Sequence, residues 1–208
     1  MVCKREGAIV LHLRLKPLRP ESASRLGQVD WGRSTGASRL GQLETAMKVV
    51  GLAGWSGAGK TTLLTRLIPH LRAQGLTVST IKHAHHAFDV DVPGKDSWRH
   101  REAGATEVMV SSANRFALMH ELRGAPEPEL PELLSRMARV DLVIIEGFKR
   151  APHRKIEVFR ADNNKPLLFP DDPGILGIAA IGAIETSLPI AHLDDIAAVA
   201  KMLLAASD

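Results

Sequence analysis

The stretch that decides the fold is Gly51-Leu52-Ala53-Gly54-Trp55-Ser56-Gly57-Ala58-Gly59-Lys60-Thr61-Thr62-Leu63-Leu64, in which four glycines fall within nine residues. From Gly54 to Thr61 it matches G-x-x-x-x-G-K-[ST] at every required position. Glycine reaches backbone angles closed to other residues, so successive N–H groups in such a loop can turn inward around an anion. A helix N-terminus placed directly behind adds about half a positive charge at the same point. The pattern therefore predicts a phosphate-binding loop at Gly54, Ser56, Gly57, Ala58 and Gly59. Lys60 is expected on the β- and γ-phosphates, Thr61 on Mg²⁺ and Thr62 on the α-phosphate.

The flanks supply the context that motif needs. Lys48–Ala53 reads as a buried strand. Lys60–Gln74 reads as a helix with Leu63, Leu64, Leu67, Ile68 and Leu71 on one side, Gly75 as its stop and Pro69 as an interruption. Further strands are expected at Thr77–His83, Val140–Glu146, Ile156–Arg160 and Gly174–Ile181. Helices are expected at Asp96–Ala103, Pro131–Ala138 and Asp194–Ala206, the last capped by Asp194 or Asp195. Glu107–Ser111 and Arg115–Glu121 form an expected β-hairpin. The alternation predicts an α/β fold of the P-loop NTPase type: three layers, a mainly parallel sheet and an added hairpin.

Ligands of parallel sheets gather at the carboxyl ends of the strands. On Asp141-Leu-Val-Ile-Ile-Glu146, five steps of about 3.3 Å separate the two acids by roughly 16 Å. Only Glu146 can stand near the phosphates, holding Mg²⁺ through water or orienting a water, while Asp141 caps the strand start; a plain surface carboxylate is the alternative for Glu146. Phe148-Lys149-Arg150 is expected at the rim.

The second strand ends in Lys82-His83-Ala84-His85-His86, followed by Asp89, Asp91, Lys95 and Asp96. This reads as a polar active-site loop, with a transition-metal site as the alternative. It would bring Asp89 or Asp91 toward Mg²⁺ or an acceptor and Lys95 or Arg99 toward an anionic substrate; Asp96 can instead cap its helix. Arg99-His100-Arg101-Glu102 reads as a solvated helix face or as an arginine lid. Asn164-Lys165-Pro166-Leu167 lacks the aspartate of the usual guanine-reading motif.

The chain has 208 residues, a net charge of +4 and one cysteine, Cys3. A disulfide framework is excluded, no apolar run is long enough to span a membrane, and a cytoplasmic protein is expected. Residues 1–46 carry eight basic and four acidic side chains, hence the whole net charge, and repeat ASRLGQ at Ala23–Gln28 and Ala37–Gln42. This leader is expected to be disordered or a non-native start, apart from a possible strand at Ala8–Leu15, with the nucleotide-binding domain at 47–208. The remainder is electrically neutral and the chain has no tyrosine, so no nucleic-acid surface is expected.

Three segments together, GWSGAGKTTL, TIKHAHHAFDVDVPGKDSWRHREAGA and DLVIIEGFKR, resemble the molybdopterin-guanine dinucleotide biosynthesis protein B family. The resemblance runs from Met47 to about Asp208. It implies a GTP-binding protein with weak GTPase activity, usually a homodimer, that assists a MobA-type nucleotidyltransferase in joining GMP to molybdopterin. GTP and Mg²⁺ are the implied cofactors, with molybdopterin a further candidate. Gly57, Gly59, Lys60, Thr61 and Thr62 would bind nucleotide, and His83, Asp89, Lys95, Asp96 and Glu146 would lie in or near the site. Lys60, Glu146 and Asp89 are the expected catalytic residues. Two other readings fit the same loop. One is a small-molecule kinase with Asp89 or Asp91 as base and Arg99 and Arg101 as lid; the other is a nucleotide sensor without turnover.

Overall fold

The structure, a computed structural model, describes residues 47–84, 88–149 and 151–207. The basic leader with its expected strand, His85, His86 and Arg150 lie outside the described residues. The elements in chain order are β1 (Lys48–Ala53), α1 (Lys60–Ala73), β2 (Val78–Lys82), α2 (Asp96–Glu102), β3 (Glu107–Ser111), β4 (Phe116–His120), α3 (Leu130–Ser135), β5 (Leu142–Glu146), β6 (Lys155–Arg160), β7 (Ile175–Ile181), β8 (Ile190–His192) and α4 (Ile196–Ala206).

Six strands form one sheet in the order β2-β5-β1-β6-β7-β8, every pairing parallel. β5 is the strand written as a continuous apolar run, and all five of its residues are buried, as a strand covered on both faces requires. Side chains alternate across it. Leu142 and Ile144 join Val50, Leu52, Ile156 and Val158 beneath α1 and α4, while Val143 and Ile145 pack with Leu130 and Leu134 of the α3 region on the other face. Leu63, Leu67 and Leu71 recur along α1 and Val199 and Leu203 along α4, all fully buried or nearly so. Burial of each such side chain contributes about 1.5–3 kcal/mol. The expected three layers are present; the sheet is wholly rather than mainly parallel.

The hairpin β3–β4 is a separate two-stranded sheet with antiparallel register from Glu107↔His120 to Ser111↔Phe116. α1 continues through Pro69 and stops at Gly75, where φ is 87°. Asp195, not Asp194, caps α4, its carboxylate accepting from Ala198 N–H at 3.0 Å. Asp194 instead takes the Arg66 guanidinium at 2.6 Å. Asp96 does not cap α2, whose N-cap position is Lys95. The three-residue β8 has too little pattern to be found from sequence.

Asp141 tethers the amino ends of two strands, as a strand-start role requires. Its carboxylate accepts from the Thr77 N–H at 2.7 Å and from its hydroxyl at 2.6 Å, and Asp141 N–H returns a bond to that hydroxyl at 2.9 Å.

Candidate functional site

The carboxyl ends of β2, β5 and β1 stand in one register row, with Lys82 opposite Glu146 and Glu146 opposite Leu52. The glycine-rich loop leaves β1 at this level. At Gly54 φ is 142°, and a Cβ there would fall 2.5 Å from the Val158 carbonyl, so no other residue fits against β6. Gly57 and Gly59 also take positive φ, 82° and 94°, and Ala58 N–H closes onto the Trp55 carbonyl at 3.2 Å. The segment is curled, with Lys60 opening α1 directly behind it.

Lys60 reaches back across the loop and donates to the carbonyls of Gly54 and Trp55, both at 2.9 Å. Burial lowers its pKa most; the Glu146 carboxylate opposes this, while Lys149 and Lys82 add to it. Thr61 Oγ1 donates to Glu146 Oε1 at 3.0 Å, and Lys82 Nζ lies 3.8 Å from the same oxygen. Glu146 is 9% exposed. A hydroxyl and a carboxylate at this separation are the hard oxygen donors that Mg²⁺ takes when phosphate supplies the rest of its shell. Three lysines around one acid give the pocket the net positive charge a polyphosphate requires.

The site is completed by residues the sequence did not single out. Asn163 Nδ2 donates to the Ser56 carbonyl at 2.9 Å, and Trp55 Nε1 donates to the Pro166 carbonyl at 2.7 Å. The Arg160 guanidinium lies beside Gly59, its Nε 3.2 Å from where a Cβ would stand. Two buried polar groups hold this segment in place. Glu157 accepts the N–H groups of Leu168 and Phe169 at 2.8 and 2.9 Å, and Lys155, 1% exposed, pairs with Asp172 at 2.9 Å. Desolvation raises the Glu157 pKa and the two amides oppose it. Applying the strand-end rule to β6, as to β5, identifies Arg160 from sequence.

His83 is tied to the site through its backbone, its N–H donating to the Glu146 carbonyl at 2.8 Å. Gly147 makes that approach possible: a Cβ there would fall 2.7 Å from the His83 Cβ. The imidazole turns away and donates through Nε2 to Glu127 Oε1 at 2.7 Å. Lys149 does line the rim, its ammonium 4.8 Å from the Trp55 ring centroid.

Asp89, Lys95 and Asp96 are placed elsewhere. Arg101 collects Asp89 at 2.7 Å, Asp91 at 3.3 Å and Glu121 at 2.9 Å. The Asp91 amide, then Arg101, hold the Asp89 carboxyl below its usual value. Lys95 and Asp96 begin α2, and among the described residues no hydrogen bond or ion pair joins any of the three to the phosphate loop. Arg101 is thus paired with both aspartates that the kinase reading would use as base, rather than turned over the phosphate loop. Of the transition-metal alternative, Asp89 and Asp91 pair with Arg101 and His83 with Glu127; His85 and His86 lie outside the described residues, and among the described residues no group of three His, Cys, Asp or Glu is placed to hold a metal.

Comparison with known proteins gives this arrangement its relatives. The family model described as "MobB: Molybdopterin guanine dinucleotide synthesis protein B" matches residues 49–181. The "Molybdopterin-guanine dinucleotide biosynthesis adapter protein" of Escherichia coli (strain K12) is 38% identical over 164 residues, covering 77% of this chain and 94% of that protein. The protein of the same name in Haemophilus influenzae is 38% identical over 165 residues, covering 77% and 90%. Among solved structures, Bacillus subtilis MobB is similar with a TM-score of 0.61 and 27% identity, over 76% of this chain and 98% of that one. The chain belongs to the MobB family.

Proposed function

We propose that this chain is a GTP-binding adapter that serves the synthesis of molybdopterin guanine dinucleotide, acting in the cytoplasm on the nucleotidyltransferase that joins GMP to molybdopterin. The observation that carries the reading is the Thr61–Glu146 contact of 3.0 Å beside Lys60, inside a curled loop at the carboxyl end of a parallel sheet. The adapter names of the Escherichia coli and Haemophilus influenzae relatives support the pathway. Thr61 and Glu146 would hold Mg²⁺, and the ion would neutralise charge on the transferred phosphoryl group. Lys60 exchanges its two carbonyl partners for phosphate oxygens, and the loop amides with the start of α1 hold the remainder of the chain of phosphates. Glu146 is the acid that positions a water, which fits a slow hydrolase.

Homodimerisation is the second element of the proposal. Met109, Val110, Phe116 and Leu118 of the hairpin are 46–70% exposed, and a two-stranded unit is marginal alone in water. Exposed apolar area of this kind marks a protein interface. A second copy of the chain is the occupant.

Calorimetric titration with GTP, GDP and ATP in the presence of Mg²⁺, repeated with the nucleotidyltransferase, tests the reading. GTP is expected to bind more tightly than ATP, with slow turnover alone and a complex with the enzyme. Equal affinity for both triphosphates, or consumption of nucleotide only when a small acceptor is added, overturns it.

A further inference from the structure

Of the three lysines at the phosphate loop, two have polar partners. Lys60 donates to the Gly54 and Trp55 carbonyls, both at 2.9 Å, and Lys82 lies 3.8 Å from Glu146 Oε1. The third, Lys149, rests on an aromatic face, its ammonium 4.8 Å from the centroid of the Trp55 ring. Among the described residues it has no carboxylate partner. Trp55 thus holds two cations at once, Lys60 on its carbonyl and Lys149 on its ring. After burial, which lowers the Lys60 pKa, and Glu146, which raises it, Lys149 is the next influence and lowers it again. The two ammoniums therefore stand within electrostatic reach of each other.

The ring cannot follow Lys149 away from the loop. Its Nε1 donates to the Pro166 carbonyl at 2.7 Å, and Glu157 anchors that stretch through the amides of Leu168 and Phe169. The turn that carries Lys149 is pinned as well. Gly147 and Phe148 both take positive φ, 107° and 49°, a conformation that is costly for a bulky residue and concentrates at functional sites. Ala151 N–H closes the turn on the Phe148 carbonyl at 3.0 Å, and the Phe148 ring lies 4.5 Å from the His83 imidazole, centroid to centroid. With the backbone held on both sides, the part left to move is the flexible four-carbon stem of Lys149.

On the nucleotide reading above, on which this rests, we infer that Lys149 leaves the Trp55 ring for the γ-phosphate when a nucleoside triphosphate enters. It is then a catalytic residue, and the one by which the site tells a triphosphate from a diphosphate. A cation on an indole face is held more weakly than one hydrogen-bonded to a phosphate oxygen, so the exchange runs toward the ligand. One strand end supplies both the carboxylate beside Thr61 and the ammonium above the loop, since Lys149 follows Glu146 by three residues.

In hydrolysis a water oxygen bonds to the γ-phosphorus while the bond from that phosphorus to the β–γ bridging oxygen breaks. The diphosphate keeps the electron pair, and hydrogen phosphate and one proton are released. Lys149 stays protonated throughout and offsets negative charge on the oxygens of the transferred group.

The Trp55 indole reports the movement, because its emission depends on the ammonium at its face. The full chain is titrated in Mg²⁺ with GDP or with a non-hydrolysable GTP analogue, following tryptophan emission and affinity. The analogue should give an emission change that GDP does not. That change should vanish in Lys149→Met and in Trp55→Phe, which excludes Trp31 and Trp98, the other tryptophans, as its source. Lys149→Met should weaken the analogue about tenfold, the scale of one charge-assisted contact, and leave GDP affinity unchanged. Phosphate release from GTP should slow by at least the same factor. Lys149→Arg should keep the preference for the triphosphate, since a guanidinium also stacks on an indole and binds phosphate. Equal weakening of both nucleotides in Lys149→Met overturns the inference, as does an unchanged preference or an arginine variant no better than methionine. In each of those cases the chain still binds GTP, and the nucleotide reading stands. A chain that binds neither nucleotide sinks both.

Discussion

At the end of β5, Glu146 meets a threonine hydroxyl at 3.0 Å and a lysine at 3.8 Å; beyond β2, Asp89, Asp91 and Glu121 converge on Arg101 at 2.7, 3.3 and 2.9 Å. Both regions are rich in charge and both lie near histidines in the sequence. The difference lies in what their partners can give up. A hydroxyl and a distant ammonium are readily exchanged for a metal ion and phosphate. A guanidinium holding three carboxylates is a fixed fork of donors with every one of its nitrogens engaged. Its pKa is raised, first by Glu121 and then by Asp89. The first region can exchange its partners for a ligand; the second ties the loop at Asp89–Asp91 and α2 to the hairpin's exit at Glu121.

The largest expected effect that tests this contrast is on turnover. Glu146→Gln should retain GTP binding and lose about a hundredfold or more in hydrolysis, the typical worth of a positioned acid or base. Phosphate-release kinetics with equal rates in both proteins would reduce Glu146 to a structural acid. Next, Lys60→Ala should weaken triphosphate binding by about 2–3 kcal/mol, the scale of a hydrogen bond to a charged group, as read by calorimetry. Unchanged affinity would remove the phosphate-loop assignment.

Arg101→Ala should do the reverse: a lower Tm, with GTP affinity of the folded protein preserved. Arg101→Lys should not restore the Tm, since one ammonium cannot reproduce the fork. If instead Arg101→Ala abolishes GTP binding while the Tm holds, the contrast between the regions is wrong.

Asp141 sharpens the comparison because it shares a strand with Glu146 yet sits at the opposite end. The Thr77 hydroxyl, then its amide, hold the Asp141 carboxyl below its ordinary value of 3.8. A depressed folded-state value gives stabilisation that is complete above the unfolded value and lost as pH falls through the folded one. The Tm gap between the chain and its Asp141→Asn variant should therefore close below about pH 3.8, whereas a gap that widens there refutes the assignment. Smallest of all, deleting residues 1–46 should leave Tm and GTP affinity nearly unchanged; a marked fall in either would place that segment in the working protein.

Much of this was legible because it is local. The glycine spacing, the leucines on one side of α1 and the uninterrupted apolar run of β5 each declare themselves within a few residues. Glu146 was separable from Asp141 by strand length alone. The misplaced role of Asp89 has a tertiary cause: its partner Arg101 lies twelve positions later and shares Glu121 from a different element. Asn163 and Pro166 were invisible for a related reason. They reach Ser56 and Trp55 across separations of 107 and 111 residues, through buried contacts of Lys155 and Glu157 that only the folded sheet brings about.

β5 enters the sheet between two strands that precede it in the chain. During synthesis β1 and β2 therefore emerge well before the strand that must join them, and the sheet cannot close until residues 142–146 have been made. The late arrival carries the apolar stretch Leu-Val-Ile-Ile, and apolar, β-prone segments self-associate if exposed before they pair. Asp141 and Glu146 bracket it with negative charge. Glu146 thus also stands where a charged flank opposes self-association before the sheet has closed.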